Sequence, residues 1–260
     1  MQQMAGTSVS WGPHPSGGWS PLWAPGRVPA HVALIVDGNG RWAARRGLAR
    51  NAGHAAAVPR LLDTIDGAVE AGIRHLSFYL FSTENWLREP EEVARILEII
   101  GGFVTDNQAA LHAKGMRALW CGRRDRVPDA LGRTLAGFEQ LTRDNRTMDL
   151  VFCVDYGARD ELLRAAAELA REAADGRLNP DCIDVASLTS RLYQPGVPDV
   201  DLLIRTSGER RISNFLLWQC AYAELYFTDV LFPDFDRFAL WEAVADYAGR
   251  ERRFGKAGAA

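Results

Sequence analysis

Short apolar runs alternate with longer segments of mixed polarity through most of this 260-residue chain. The run at 31–36 is nearly continuous and carries β-branched residues, which is typical of a strand buried on both faces of a parallel sheet. Further runs predict strands at 73–81, 116–121, 148–154 and 200–204. The segments between them predict helices, so the alternation indicates an α/β fold with a mainly parallel sheet.

The predicted helices cover about 55–71, 91–112, 128–143, 185–192 and 234–247, and an alanine-rich helix ends near Ala174. Pro59 fits the first of these only near its first turn, because proline lacks the N–H group that a helix interior uses. The helix at 91–112 is apolar over a wide arc. This arc is typical of a core helix and, alternatively, of the wall of a hydrophobic ligand tunnel.

Polar residues follow the first strand directly, in the order Asp37-Gly38-Asn39-Gly40-Arg41-Trp42. Ligands of open parallel sheets bind just past the carboxyl ends of the strands. Glycines let backbone N–H groups approach an anion there, and Arg41 adds a fork of donors. Asp37 would repel a phosphate, so its presence favours a divalent cation between the two. The alternative is a solvated turn that ends the strand.

A second polar stretch follows the strand at 200–204 and contains Arg205, Arg210 and Arg211 with hydroxyls and a glycine. Because arginine binds phosphate through paired hydrogen bonds, this composition predicts an anion site. A solvated loop is the alternative, although the stretch runs straight into apolar residues 215–218. Glu224 lies in a further aromatic and apolar stretch, where a carboxylate needs a cation or hydrogen bonds.

The totals exclude several classes of function. A net charge of −3 and a pI near 6.0 argue against a nucleic-acid-binding surface. The four cysteines form no C-x-x-C pair, which argues against a zinc or redox motif and fits a reducing cytoplasm. No run approaches the ~18 apolar residues of a membrane span. We predict that residues 1–29 form a disordered or loosely ordered extension and that residues 256–260 form a short tail.

Common catalytic signatures are absent from the sequence. There is no G-x-x-x-x-G-K-[ST] phosphate loop, no G-x-G-x-x-G dinucleotide motif, no G-x-S-x-G elbow and no H-E-x-x-H. Two anion sites of diphosphate size beside an apolar wall remain as the main signal. They predict a substrate with a charged head and an apolar tail.

Three long motifs share this arrangement with a known family. They are H-V-A-L-I-V-D-G-N-G-R-W-A at 31–43, F-S-T-E-N-W-x-R at 81–88, and I-R-T-S-G-E-x-R-I-S-N-F-L-L-W-Q…A-Y-A-E-L-Y-F at 204–227. Together they resemble the cis-prenyltransferases, the undecaprenyl diphosphate synthase family. The resemblance covers about residues 30–255, and the motifs occur in the same order.

The resemblance implies a single α/β domain at 30–255, with a central, mostly parallel six-stranded sheet flanked by helices and a hydrophobic tunnel between two helices. It implies condensation of isopentenyl diphosphate with an allylic diphosphate to a Z-polyprenyl diphosphate, with Mg²⁺ as cofactor. It also implies a cytoplasmic homodimer that contacts membranes, if at all, through its lipid product.

The matching positions imply roles residue by residue. Asp37 would hold Mg²⁺, and Glu224, from a segment facing the partner subunit, would share the metal. The allylic diphosphate site would comprise Gly38, Asn39, Gly40, Arg41, Trp42, Arg50, His54, Ser82, Trp86 and Arg88. The isopentenyl diphosphate site would comprise Arg205, Arg211 and Ser213, with Arg253 and Gly255 of the C-terminal R-x-G reaching the neighbouring subunit. Candidates for the proton acceptor are Asp37, His54, Asn85 and the diphosphate itself.

Two positions depart from the family pattern. The motif that usually reads N-Y-G-G-R is Asp155-Tyr-Gly-Ala158-Arg here, and the extra carboxylate could alter the allylic side or pair with an arginine. Leu80 stands where long-chain members carry a small residue. Because packed interiors do not yield freely, Leu80 at a tunnel wall predicts a short or medium product of about C15 to C35.

Three alternatives remain open at this stage. The chain could be a long-chain (C50–C55) synthase in which Leu80 only repacks the core. It could be a branching or cyclising, lavandulyl-type synthase that joins two dimethylallyl units. It could also be a non-catalytic partner subunit, although such subunits lose Asp37 and the arginines, which this chain retains.

Overall fold

The structure is a computed structural model that describes residues 26–252. Most of the predicted N-terminal extension and the whole predicted tail therefore lie outside the described residues. The same is true of Arg253 and Gly255, the two residues proposed to reach a neighbouring subunit. Within 26–252, no helix is both long enough and apolar enough to cross a lipid bilayer.

A six-stranded sheet forms the centre of the domain, in the order β3-β4-β2-β1-β5-β6, and every described pairing is parallel. The strands are β1 (His31–Ile35), β2 (His75–Ser82), β3 (Met116–Cys121), β4 (Met148–Tyr156), β5 (Leu202–Arg205) and β6 (Glu224–Phe227). This confirms the predicted α/β class and the six-stranded parallel sheet. The carboxyl ends of β1, β2 and β5 lie at one edge of the sheet, because all strands run the same way.

In the described region six α-helices lie between strands and a seventh follows the last strand: α1 (Asn39–Arg45), α2 (Arg50–Ala71), α3 (Pro90–Ala113), α4 (Asp129–Thr142), α5 (Ala158–Ala174), α6 (Val185–Thr189) and α7 (Arg237–Gly249). Short 3-10 turns occupy Thr83–Leu87, Pro180–Cys182 and Phe232–Asp234.

Three predicted helix boundaries were wrong. Helix α6 ends at Thr189 rather than at Leu192. Helix α2 begins at Arg50 rather than near Ala55, so Pro59 lies in its interior instead of its first turn. Burial of an apolar face that includes Leu61 and Ile65 holds the helix together across the missing hydrogen bond. Helix α7 begins later than predicted, because the Asp236 side chain caps it by accepting a hydrogen bond from the Ala239 N–H at 3.0 Å.

The two faces of the sheet bury different clusters. In β1, Val32 and Leu34 face the larger core formed with α2, α3, α4 and α7, while Ala33 and Ile35 face a smaller core that includes Phe215. This alternation follows from the two-residue repeat of a strand. Both faces are covered, which explains why the strand sequences are continuously apolar.

A buried histidine joins β1 to β2 at the opposite edge of the sheet. His31 is 1% exposed; its Nδ1 lies 2.7 Å from the carbonyl oxygen of Pro198, and its Nε2 lies 2.7 Å from Ser77 Oγ. Because a carbonyl only accepts, Nδ1 carries a proton and donates to it. Burial lowers the pKa of His31 to about 4.

We expect this histidine to make folding pH-dependent. The unfolded chain binds a proton near pH 6.5 and the folded chain only near pH 4, so the stabilisation is complete above pH 6.5 and declines as the pH falls towards 4. The free energy of unfolding should fall by about 2 kcal/mol between pH 7 and pH 5 from this residue. Urea denaturation of wild type and His31→Gln at both pH values measures it. Equal slopes with pH in the two proteins would contradict the assignment, and His112→Gln, at an exposed position, is the control.

Candidate functional site

A polar cavity of about 590 Å³ opens at the carboxyl ends of β1, β2 and β5. Many of the predicted site residues line it, and the structure brings together residues that are far apart in the sequence. The lining includes Asp37, Asn39, His54, Leu80, Ser82, Asn85, Arg88, Arg205, Arg211 and Ser213. The cavity lies where ligands of parallel sheets bind, past the strand ends.

The loop after β1 requires glycine at one position. Gly38 has φ +101, and a Cβ there would lie 2.8 Å from Leu231 Cδ2. Only glycine combines this left-handed backbone with such a close approach. The Gly38 N–H donates to Asp37 Oδ1 at 2.6 Å, so the turn orients the carboxylate that follows the strand.

Asp37 and Arg205 form an ion pair in the floor of the cavity, with Arg205 Nη2 2.8 Å from Asp37 Oδ2. Arg205 is 4% exposed, and its other terminal nitrogen donates to Ser213 Oγ and to the Arg211 carbonyl, both at 2.6 Å. Burial by itself would raise the pKa of Asp37, but the hydrogen bond and charge of Arg205 outweigh it and lower that pKa. Asp37 is therefore a carboxylate at neutral pH.

Backbone strain places Ser213 beside that arginine. Ser213 and Asn214 have φ values of 50° and 62°, in the left-handed region that non-glycine residues rarely adopt. The Asn214 side chain accepts from the Arg159 N–H at 2.9 Å and donates to Glu84 at 2.9 Å, which holds the loop in this conformation. Such strained residues persist where the surroundings over-determine them, and they concentrate at functional sites.

Three buried polar atoms in this region have no partner within hydrogen-bonding geometry: Asn39 Oδ1, His54 Nδ1 and Arg205 Nε. Their residues all line the cavity. Buried polar groups are almost always satisfied, so an oxygen, a ring nitrogen and a guanidinium N–H left unpaired around one cavity indicate that a polar ligand completes it.

One carboxylate holds Arg88, which lines the cavity, and Arg50, which lies outside the lining. Glu92 Oε1 accepts from Arg50 Nε at 3.0 Å and from Arg88 Nη1 at 2.8 Å. Burial raises the pKa of Glu92, but the bond and charge of Arg50 outweigh it and lower that pKa. Burial is the largest cause that lowers the pKa of His54, and the charge of Arg88 lowers it further. The charge of Glu92 and the Arg50 backbone raise this pKa, but by less. His54 is therefore a neutral ring at neutral pH.

An apolar channel continues from the polar cavity between α2 and α3. Leu80, His54 and Asn39 line both spaces, so the two are continuous. The channel walls are otherwise aliphatic and aromatic: Val36, Ala57, Val58, Leu61, Ile96, Ile99, Ile100, Phe103 and Phe232. Its volume is about 50 Å³, against about 590 Å³ for the polar cavity. The apolar arc of α3 thus serves as core and as channel wall.

Some predicted residues lie away from the cavity. Arg41 is absent from the cavity lining, although its Nη2 lies 3.9 Å from Asp37 Oδ1; it donates to Ser207 Oγ at 2.6 Å and lies 3.3 Å from Glu209. Trp42 Nε1 donates to Asp234 at 2.7 Å. Gly40 leaves room for the Arg50 side chain, because a Cβ at this position would lie 3.0 Å from Arg50 Nη1.

Glu224 is not brought to Asp37 within one chain. It is the first residue of β6, paired with Leu202, whereas Asp37 follows the carboxyl end of β1. Its carboxylate accepts from Arg250 at 2.9 Å. In residues 26–252 no group of three or more His, Cys, Asp or Glu side chains is arranged to hold a metal ion. A metal site that shares Asp37 and Glu224 therefore requires a second subunit.

Asp155 forms an ion pair, as one of the two interpretations of this departure predicted. Its fully buried carboxylate accepts from Arg126 Nε at 2.9 Å and from Trp86 Nε1 at 2.9 Å. Trp86 therefore points away from the cavity towards Asp155, and it is absent from the cavity lining.

Gly53 is a site residue that the sequence pattern did not reveal. It lies in α2 next to His54, and a Cβ there would lie 1.9 Å from the Asn39 carbonyl oxygen. The only signal was the glycine itself, because a glycine inside a helix costs about 1 kcal/mol relative to alanine and so needs a packing reason.

Comparison with known proteins agrees with this geometry. The family model for undecaprenyl diphosphate synthases matches residues 35–255. A trans,polycis-polyprenyl diphosphate synthase ((2Z,6E)-farnesyl diphosphate specific) from Thermobifida fusca is 49% identical over 94% of this chain and 87% of its own length. Decaprenyl diphosphate synthase from Mycobacterium tuberculosis is 48% identical over 89% of this chain and 78% of its own length.

Solved structures give the same result. A lavandulyl diphosphate synthase from Lavandula x intermedia, crystallised with dimethylallyl diphosphate, superposes with a TM-score of 0.86 at 35% identity, covering 88% of this chain and 99% of that chain. A probable undecaprenyl diphosphate synthase from Campylobacter jejuni has a TM-score of 0.73 at 29% identity, with the same coverage.

Proposed function

Since the chain belongs to the undecaprenyl diphosphate synthase family of prenyltransferases, we propose that it condenses isopentenyl diphosphate with an allylic diphosphate and releases a short or medium Z-polyprenyl diphosphate. The observation that carries this proposal is the continuity of two spaces. A cavity with unpaired hydrogen-bonding groups opens directly into a narrow apolar channel. A diphosphate with an isoprenoid tail has the same two parts.

We assign the allylic diphosphate to the side formed by Asn39, His54 and the Arg50–Glu92–Arg88 group, because this side opens into the channel. Isopentenyl diphosphate is assigned to Arg205, Arg211 and Ser213, on the side of the cavity away from the channel walls. The remaining predicted allylic contacts, Gly38, Gly40, Arg41, Trp42, Ser82 and Trp86, form or support the loops around the first of these positions.

The residues present fit Mg²⁺. The ion prefers hard oxygen ligands and is usually bound by one or two carboxylates together with substrate phosphates. Asp37 supplies one carboxylate that is ionised at neutral pH. When bound, the ion would neutralise charge on the departing diphosphate.

The chain's own groups account for the other steps. Ionisation of the allylic C–O bond leaves a carbocation and a diphosphate, and the arginines of the cavity stabilise that diphosphate as its charge develops. The aliphatic channel wall keeps water from the carbocation. The isopentenyl double bond then attacks, and a proton leaves the new carbon chain. Among the proposed acceptors, His54 is uncharged and lines both the cavity and the channel, whereas Asp37 is engaged by Arg205; this favours His54.

We also propose a cytoplasmic homodimer. The family roles of Glu224, Arg253 and Gly255 require a neighbouring subunit, and within one chain Glu224 pairs with Arg250 rather than approaching Asp37. Both points favour a site completed by the partner. The four cysteines are free, as a reducing compartment allows. Sedimentation equilibrium distinguishes a dimer from a monomer.

Product length is the first experimental test. Leu80 lies between the cavity and the channel, so replacing it with alanine removes volume where the growing tail must pass. We expect wild type, given labelled isopentenyl diphosphate and a series of allylic primers, to make products of about C15 to C35, and Leu80→Ala to make longer ones. Chromatography and mass spectrometry of the products measure both.

Leu62→Ala is the matched control, because Leu62 packs against the same core without lining the channel. It should leave product length unchanged. C50–C55 products from wild type would refute the short-chain proposal, and an unchanged length in Leu80→Ala would remove Leu80 from it. No turnover with any primer would refute the condensation itself.

A lavandulyl-type reaction is the second candidate, supported by the superposition on a lavandulyl diphosphate synthase. Such an enzyme joins two dimethylallyl units, whereas an elongating enzyme needs isopentenyl diphosphate. Incubation with dimethylallyl diphosphate alone separates the two, because only the first candidate gives a product.

A further inference from the structure

The pairing of β2 with β4 is irregular where both strands reach the cavity. Tyr79 pairs with Cys153, Phe81 with Val154 and Ser82 with Tyr156. Each strand therefore contains one residue without a partner, Leu80 in β2 and Asp155 in β4. Bulges of this kind re-aim side chains next to active sites.

Asp155 adopts the conformation that its bulge requires. Its φ is 50°, in the left-handed region that aspartate and asparagine tolerate better than most residues. An asparagine would fit this backbone as well, so the backbone does not explain the carboxylate. The carboxylate is explained by its contacts.

Three chain segments meet at the Asp155 side chain. Arg126, from the loop between β3 and α4, makes two charge-assisted hydrogen bonds to it, one to each oxygen. Trp86 donates its indole N–H to Oδ1 at 2.9 Å, and the Arg126 guanidinium carbon lies 5.8 Å from the centre of the Trp86 ring. A fully buried carboxylate is tolerated only when it is paired with a cation and hydrogen-bonded. Arg126 supplies the cation, and Arg126 and Trp86 supply the hydrogen bonds.

Trp86 is the inward anchor of the Thr83–Leu87 turn. Its ring packs edge-to-face on Phe81 with 5.1 Å between centroids, whereas the next residue, Leu87, is 89% exposed. The same turn carries Glu84 and Asn85, which line the cavity, and leads to Arg88. The position of this wall of the cavity thus depends on where Trp86 is held.

We propose that Asp155 is a positioning residue for the prenyl transfer: through Arg126 and Trp86 it holds the Thr83–Leu87 turn in place against the allylic diphosphate. Only the kinetic consequence of this proposal rests on the proposed function. Loss of this clamp, formed by Asp155, Arg126 and Trp86, should affect the isopentenyl side less than the allylic side. Glu84 of the turn accepts a hydrogen bond from Asn214, but Arg205 on β5 keeps its own contacts with Asp37 and the Arg211 carbonyl.

Trp86→Phe and Asp155→Asn test the clamp, and Trp120→Phe is the matched control. Trp120 also donates a buried indole N–H to β4, to the Val154 carbonyl at 3.1 Å, but it is not part of the turn. Hydrogen exchange of peptides covering 82–88, in the enzyme without substrate, should quicken about tenfold in Trp86→Phe, with other segments unchanged. The KM for the allylic diphosphate should rise by a similar factor, and the KM for isopentenyl diphosphate should rise by clearly less.

Asp155→Asn removes the charge that pairs with Arg126 and should change the same two quantities in the same direction. In the double variant the two effects should be less than additive, since both weaken the same anchor of the turn. Unchanged exchange at 82–88 in Trp86→Phe, or an equal rise in both KM values, would overturn the proposal, as would the same response in Trp120→Phe. If Asp155→Asn fails to fold, Trp86→Phe decides alone. The exchange measurement needs no turnover, so an inactive wild type would refute the proposed function while leaving the clamp testable.

Discussion

Replacing Asp37 with asparagine is expected to lower kcat about 10²–10³-fold, the cost of removing one group that stabilises charge in a transition state. The side chain keeps its shape and can still accept from the Gly38 N–H, so the loop should be retained. What is lost is the negative charge opposite Arg205, and with it the carboxylate proposed for Mg²⁺. Steady-state turnover over a range of Mg²⁺ concentrations measures the effect, and we expect the variant to need more Mg²⁺ for half-maximal rate.

Asp125→Asn is the matched control for this substitution. Asp125 also pairs with an arginine, Arg123 at 2.7 Å, but it is exposed and lies in the loop between β3 and α4. Its replacement should leave turnover within twofold, because exposed ion pairs contribute little. Wild-type turnover in Asp37→Asn, with unfolding unchanged, would mean that Asp37 has no part in the reaction, and the assignment of both diphosphates would have to be abandoned.

The sequence was most informative where buried strands end in polar residues. Asp37 after β1 and Arg205 at the end of β5 could each be predicted as ligand contacts, because in a parallel sheet an apolar run that ends in an acid or an arginine delivers that side chain to the ligand-binding edge. Their 2.8 Å ion pair could not, since it depends on β5 lying beside β1 in the sheet. Strand order is a property of the whole fold, and no single motif encodes it.

Glu224 shows the opposite case. Its apolar surroundings predicted that the carboxylate meets a cation or hydrogen bonds, and Arg250 supplies both, but the pattern of a four-residue strand does not say which end faces the site. The partner within the chain is Arg250, at the edge of the sheet away from Asp37. The bulges at Leu80 and Asp155 could not be predicted either, because a bulge is a mismatch of register between two strands, and each strand alone looks regular.

Substitution of Gly53 by alanine should have the largest structural effect among the single changes considered. The added Cβ would lie 1.9 Å from the Asn39 carbonyl oxygen and 2.6 Å from its carbonyl carbon, so backbone must move. Overpacking of this kind costs about 1–3 kcal/mol of unfolding free energy. The movement separates α1 from α2 and carries Asn39 away from His54, two residues that line the same cavity. Displacement of about 1 Å at such a site lowers activity about 10²-fold.

Gly137→Ala separates this packing effect from the general effect of glycine on a helix. Gly137 lies on the exposed face of α4, and a Cβ added there would meet no atom within 4 Å. Alanine there should raise the free energy of unfolding by about 0.5–1 kcal/mol, because only the backbone entropy changes. If close contact of α1 and α2 builds the site, urea denaturation should show a lower free energy of unfolding in Gly53→Ala and a higher one in Gly137→Ala. Turnover should fall in Gly53→Ala alone. Equal behaviour of the two variants would show that the cavity does not depend on that contact, and that Asn39 reaches its position by the β1 loop alone.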